Sequence, residues 1–161
     1  MKKLFLIRHA KSSWEFDLED HERPLNERGL QDATLVAKNL KGSLQIPDRI
    51  LSSDAVRAKT TAVLYLKALG LNEQELVLNP KLYDFNGNIV EKIIRETADE
   101  VSCLMIFGHN NAMTYLVNTL GDQAVDNVST AAFTEIDFDQ DKWADIKNGN
   151  TKRYIKPKQF K

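Results

Sequence analysis

Arg8 and His9 stand side by side directly after a run of four apolar residues, Leu4–Ile7. Two further placements of this kind occur along the chain. Arg57 comes shortly after the apolar stretch RIL at 49–51, and Gly108-His109-Asn110 comes directly after CLMIF at 103–107. Two arginines and two histidines suit a tetrahedral dianion. A guanidinium stays charged at any working pH and presents fixed donors that match phosphate oxygens. A histidine placed among arginines has its pKa pushed down by like charge, which keeps the imidazole neutral. A neutral ring nitrogen is a nucleophile that can attack phosphorus in line, form a phosphohistidine and release it to water. Taken singly, each of these residues reads as a surface ion pair or a structural hydrogen bond. Their joint placement after apolar runs is what points to a site.

The elements that would position them are set by hydropathy patterning. LFLI, RIL, ELVL (75–78) and CLMIF are short apolar runs of the kind that form strands buried on both faces. Between them, apolar residues recur at spacings of three and four. Leu30, Ala33, Val36, Ala37 and Leu40 mark a first helix, ending near Gly42. Val56, Thr60, Val63 and Leu64 mark a second, ending at Gly70, with Ser53 or Asp54 as its cap. Ile89, Val90, Ile93 and Ile94 mark a third, and Met113, Leu116, Val117 and Leu120 a fourth. AAFTEIDF (131–138) alternates like a half-exposed strand, and KWADI (142–146) is the expected partner for it. TKRYIKPKQFK at the end reads as a solvated tail or a final strand. Strands alternating with helices imply a three-layer α/β/α sandwich with a mostly parallel central sheet. In such sheets ligands bind beyond the carboxyl ends of the strands, which is where Arg8-His9, Arg57 and His109 fall.

Bulk properties narrow the function classes. The chain has 161 residues, 42% hydrophobic and 28% charged, a length that suggests a single domain over 1–161. With 22 basic and 23 acidic side chains the net charge is −1, which argues against nucleic acid as the partner. Leu4–Ile7 is far shorter than the roughly 7–15 apolar residues of an export signal. No stretch approaches the ~20 residues of a membrane span. The lone cysteine, Cys103, lies in CLMIF and reads as a buried inert thiol, loosely consistent with a cytoplasmic location. No Asp/Glu/His cluster has metal-ligand spacing, and no GxxxxGKS/T loop is present, so no metal or cofactor is implied. The expected state is a monomer. The two lysines before LFLI read as solvated residues.

These residues carry a resemblance. LIRHAKSSW, PLNERGLQDA, LSSDAVRAKTTA and FGHNNAM resemble, in order, the motifs of the histidine phosphatase superfamily, the fold of the cofactor-dependent phosphoglycerate mutases and acid phosphatases. The short chain, RHA and DHERPLNERG resemble its SixA branch of phosphohistidine phosphatases. The resemblance implies that His9 is the nucleophile, that Arg8, Arg57 and His109 complete a phosphate pocket, and that Arg23 contacts phosphate or substrate; the alternative for Arg23 is pairing with the neighbouring acids. Ser12 is a candidate donor to phosphate. Ala10 stands where the family often has Gly, and Asn111 where many members have Pro. Larger relatives place a catalytic Glu after the third strand; the matching stretch NPKLYDFNGN offers Asp84 as the candidate proton donor, with a turn residue as the alternative. Lys11 and Trp14 are expected to border the site, and His21 to be an exposed loop histidine or to border the site as well.

Three functions stay open on the sequence. The first is a phosphatase of protein-borne phosphohistidine, favoured because the short chain leaves no room for a lid and because a labile P–N bond needs little acid. The second is a phosphatase of small phosphate monoesters. The third is a non-catalytic module that binds phosphorylated protein.

Overall fold

The computed structural model describes residues 1–161. Its centre is strand β1 (Lys2–Arg8). β1 pairs in parallel with β4 (Cys103–Gly108), which pairs in parallel with β2 (Arg49–Ser52), which in turn pairs in parallel with β3 (Leu76–Leu78). On the other side β1 pairs antiparallel with β5 (Phe133–Phe138), and β5 with β6 (Asn150–Ile155). The strand order is β3-β2-β4-β1-β5-β6. Four helices cover the two faces: α1 (Glu27–Leu40), α2 (Val56–Leu69), α3 (Asn88–Arg95) and α4 (Ala112–Leu120).

The continuous apolar runs are continuous because both faces of the central strands are covered. Leu4 and Leu6 of β1, with Leu104 and Ile106 of β4, face a core that includes Val90 and Ile94 of α3 and Met113, Leu116 and Val117 of α4. Phe5 and Ile7, with Met105 and Phe107, face the opposite core, which includes Ala33, Val36, Ala37 and Leu40 of α1 and Ala62, Tyr65 and Leu66 of α2. The fold is thus a three-layer α/β/α sandwich. No helix is long and apolar enough to cross a membrane. Cys103 is a free buried thiol, pushed up to about 12 by burial and then by Asp48.

Three local expectations are corrected. KWADI does not pair with β5. Trp143–Asp145 forms a 3-10 turn that buries the Trp143 ring completely, and its ring N–H donates to Val101 O at 2.7 Å. β6, from the terminal stretch, takes the place beside β5. The lysines before LFLI are not solvated: Lys2 is buried and donates to the carbonyls of Asp99 and Val101, while Lys3 is bracketed by Glu135 and Asp137 of the neighbouring β5. Each is held by partners from another strand or loop, which a local reading cannot see. Neither Ser53 nor Asp54 caps α2, whose N-cap is Ala55; Asp54 bonds His21 instead, and Ser53 turns inward.

Trp143 joins the turn before β6 to the loop before β4, and both Lys2 and the indole donate to the same carbonyl of Val101. Trp143→Ala is expected to lower the unfolding free energy by about 3–5 kcal/mol, the usual range for removing a buried aromatic. Urea denaturation checks this; a midpoint within experimental error of the wild type would show that the ring adds nothing to the core.

Candidate active site

The register of β1 on β4 sets the geometry. Arg8 pairs with Gly108, so the two strands end level, and His9 N–H continues the ladder by donating to Gly108 O at 3.0 Å. His9 and His109 therefore leave the sheet together, with ring centroids 5.3 Å apart. β2 ends beside them: Ser52 pairs with Phe107, and Ser53 N–H donates to Phe107 O at 3.1 Å. The next residues turn into α2, whose first turn carries Arg57.

The loop after β1 is fixed from both sides. Ala10 N–H donates to Thr61 Oγ1 at 2.9 Å, and Thr61 Oγ1 donates to Arg57 O at 2.7 Å. Residues 11–13 then pair back on 24–26, through Ser13 N–H to Pro24 O at 2.8 Å and Asn26 N–H to Lys11 O at 3.0 Å. Asn26 caps α1 by accepting from Gly29 N–H. Gly29 is required here because a Cβ would lie 2.1 Å from Lys11 O.

A cavity of about 250 Å³ opens at this edge, and Arg8, His9, Ser12, Arg23 and Arg57 all line it. Lys11, Trp14, Phe85, Asn110 and Thr130 complete the wall. His109 sits beneath the cavity, buried against His9 and Phe85. No group of three or more His, Cys, Asp or Glu side chains is arranged to hold a metal ion.

A hydrogen bond defines the state of His9. His9 Nδ1 lies 2.7 Å from Ala10 O, a carbonyl that can only accept, so the ring proton sits on Nδ1. Nε2 is left with its lone pair, and Arg57 Nε–H approaches it at 3.4 Å. Burial, then the charges of Arg57, Arg8 and Arg23, pushes the His9 pKa down to about 4 against the opposing pull of Ala10 O. Ser53 Oγ accepts from Ala55 N–H and lies 2.9 Å from His109 Nε2. Either group can be the donor in this contact, because a hydroxyl oxygen accepts through two lone pairs. Burial, then His9 and Arg57, pushes His109 down to about 3. His109 Nδ1 and Arg8 Nε are both buried without a hydrogen-bond partner.

The sequence reading missed Asp20. Its Oδ1 accepts from Arg23 Nη1 at 2.9 Å, its Oδ2 from Arg57 Nη2 at 2.8 Å and from the Tyr83 hydroxyl, and its carbonyl from Arg57 Nη1 at 2.6 Å. Partial burial opposes ionisation, but the bonds from Tyr83, Arg57 and Arg23 win and hold the carboxyl well below the usual range. Arg23 also donates to Ser13 O and to Ser12 Oγ. His21, expected to be an exposed loop residue, is partly covered: it bonds Asp54 at 2.8 Å and packs edge-on against Tyr83.

Asp84 does not line the cavity, although its neighbours Tyr83 and Phe85 both pack on His109. Its Oδ2 accepts from Ile89 N–H at 3.0 Å and Val90 N–H at 3.1 Å, and its Oδ1 from Asn86 N–H at 3.3 Å. Both oxygens therefore serve the turn and the first turn of α3, which is the helix-capping use of a carboxylate. The N-cap of α4 is Asn111, whose side chain makes no cap bond; Asn110, one residue earlier, accepts from Thr114 N–H through Oδ1 at 3.0 Å.

A family profile described as "Histidine phosphatase superfamily (branch 1)" matches residues 4–102. A chloroplastic protein of Arabidopsis thaliana, itself described as uncharacterized, is 32% identical over 133 residues, 77% of this chain; the chain spans 61% of that relative's length. A Mycobacterium tuberculosis protein, also described as uncharacterized, is 32% identical over 71% of this chain and 69% of its own. A solved structure of the protein histidine phosphatase SixA complexed with tungstate superposes with a TM-score of 0.83, at 24% identity, over 99% of both chains.

The buried neutral histidines tie stability to pH. In the unfolded chain they bind a proton near pH 6.5; in the folded protein they do so only at about 4 and about 3. Between these values the unfolded state holds more protons, so stability falls as pH falls from 6.5 towards 4. Each ring contributes a loss on the order of 2 kcal/mol between pH 6.5 and 5. His21 acts in the opposite sense: Asp54 and Glu22 raise its pKa, so the stability it adds is present below pH 6.5 and lost at higher pH, through its folded value. Urea midpoints between pH 6.5 and 5 should therefore drop steeply in the wild type and less steeply in His9→Asn; equal slopes would contradict this account.

Proposed function

The chain belongs to the histidine phosphatase superfamily, and on that footing we propose that it hydrolyses phosphohistidine carried on a protein, through a phosphorylated His9. The observation that carries the reading is the tautomer of His9: the bond from Nδ1 to Ala10 O leaves Nε2 unprotonated, approached only by Arg57 Nε–H at 3.4 Å, on a residue that lines a cavity with three arginines. Nε2 attacks phosphorus in line, forming the Nε2–P bond as the P–N bond to the substrate imidazole breaks. The leaving nitrogen keeps the bonding pair and takes a proton from water at the open mouth. A second water then bonds to phosphorus, the Nε2–P bond breaks, and one water proton returns to solvent. Arg8, Arg23 and Arg57 meet the charge on the equatorial oxygens, with Ser12 as a further donor. Arg8 Nε, a buried donor without a partner, fits the same role.

The preference for an N-phosphoryl substrate draws support from the two nearby carboxyls. Asp84 is tied to three backbone N–H groups, and Asp20 is held ionised by two arginines and a tyrosine. Neither is disposed to protonate a leaving alkoxide. An imidazole leaving group is a weaker demand, because it departs through a labile P–N bond. The open cavity also suits a side chain displayed on a folded partner.

Incubation with a radiolabelled phosphohistidine protein followed by alkaline quench is expected to leave acid-labile label on His9, and none in His9→Ala. A wild type that binds the phosphoprotein without labelling would make the site a binding module. Equal or faster turnover of alkyl phosphates would favour small esters. Arg57→Ala should lower kcat/KM by roughly 100- to 1000-fold, as for loss of one transition-state donor. The acid limb of the rate profile should lie near the depressed His9 value of about 4 rather than at 6.5.

A further inference from the structure

The cavity is charged at its floor and aromatic at its mouth. His9 is only 8% exposed, whereas Trp14 is 78% and Phe85 44% exposed, and all three line the same space. In-line displacement fixes where the leaving group lies, on the side of phosphorus opposite the attacking nitrogen. With His9 at the floor, that side is the mouth.

Both mouth rings are held in place. The guanidinium carbon of Arg23 lies 3.2 Å from the Trp14 ring centroid, covering one face of the indole and leaving the rest to solvent. Arg23 is itself anchored by Ser12, Ser13 and Asp20. The Phe85 ring packs 4.9 Å from Tyr83 and 5.3 Å from His109, centroid to centroid. Trp14 and Phe85 come from separate loops, one after β1 and one before α3. Large apolar rings kept in water gain free energy when a flat partner covers them, and fixed rings lose little freedom in doing so.

We propose that Trp14 and Phe85 determine specificity by stacking on the leaving group, selecting a flat ring such as the imidazole of a phosphorylated histidine over an amine or alkoxide without one. This deepens the functional reading above and rests on its premise that the site transfers a phosphoryl group from nitrogen. Trp14 and Phe85 touch the part of the substrate that leaves, whereas the arginines touch the part that is transferred. The two sets should therefore separate in kinetics.

The test compares phosphoimidazole with phosphoramidate, which share a P–N bond but differ in the ring. The readout is the ratio of their kcat/KM values, which cancels any change in phosphate binding or in Arg23 placement. Phe85→Ala and Trp14→Ala are each expected to lower this ratio about 10-fold, the weight of one good aromatic contact. Phe85→Tyr should restore it. A ratio unchanged in both alanine variants overturns the proposal, whatever the absolute rates. If the wild type hydrolyses neither compound but does hydrolyse phosphate esters, the phosphohistidine reading fails. Ring selection is then read from phenyl phosphate against methyl phosphate in the same variants: a 10-fold fall upholds it and an unchanged ratio overturns it.

Discussion

Everything at the site depends on one parallel pairing, β1 on β4, in the register that sets Arg8 opposite Gly108. Parallel strands that end level deliver their next residues to the same edge, and here those residues are His9 and His109. A slip of one residue would turn every side chain of β1 to the other face. Leu4 and Leu6 would exchange cores with Phe5 and Ile7, and the shape of both layers would oppose it. The register that places the imidazoles is therefore enforced by burial on two faces. This explains why a polar, partly opened edge can rest on so apolar a strand.

The second constraint is electrostatic. Three arginines gather around two histidines whose pKa values lie near 4 and 3. Protonating either ring would add a buried charge to an already cationic cluster, so both stay neutral. Neighbouring groups then decide what each ring has left to offer. Ala10 O engages Nδ1 of His9, and the Ser53 hydroxyl engages Nε2 of His109. Two residues of one type, 5.3 Å apart, are thus engaged at different nitrogens, Nδ1 in His9 and Nε2 in His109.

The sheet and the strand-end residues were legible because they depend on local patterning: short apolar runs, helical spacing, and the residues directly after each run. Arg8, His9, Ser12, Arg23 and Arg57 line one cavity, as that patterning and the family resemblance together suggested. What was not legible depends on distant partners. Asp20 sits in a stretch dense with acids, and nothing in LEDHERP separates it from Glu19 or Glu22. Its distinction comes from Arg57 and Tyr83, 37 and 63 residues away. Asp84 shows the converse. The sequence marks a carboxylate at a suggestive position, but the turn at Asn86 engages one of its oxygens and the first turn of α3 the other. Lys2 and Trp143 look ordinary in sequence and meet at one buried carbonyl, that of Val101.

The bridge made by Asp20 changes what binding means at this edge. Two of the guanidiniums that face the cavity already carry an anion, supplied by the chain itself. Any incoming oxyanion that takes those same donors does so by ligand exchange, much as one ligand substitutes for another on a metal. Its apparent affinity is then the difference between two anion affinities, and a weakly held product anion can be displaced from within. The carboxylate thereby sets a threshold that stray phosphate and sulfate must also clear.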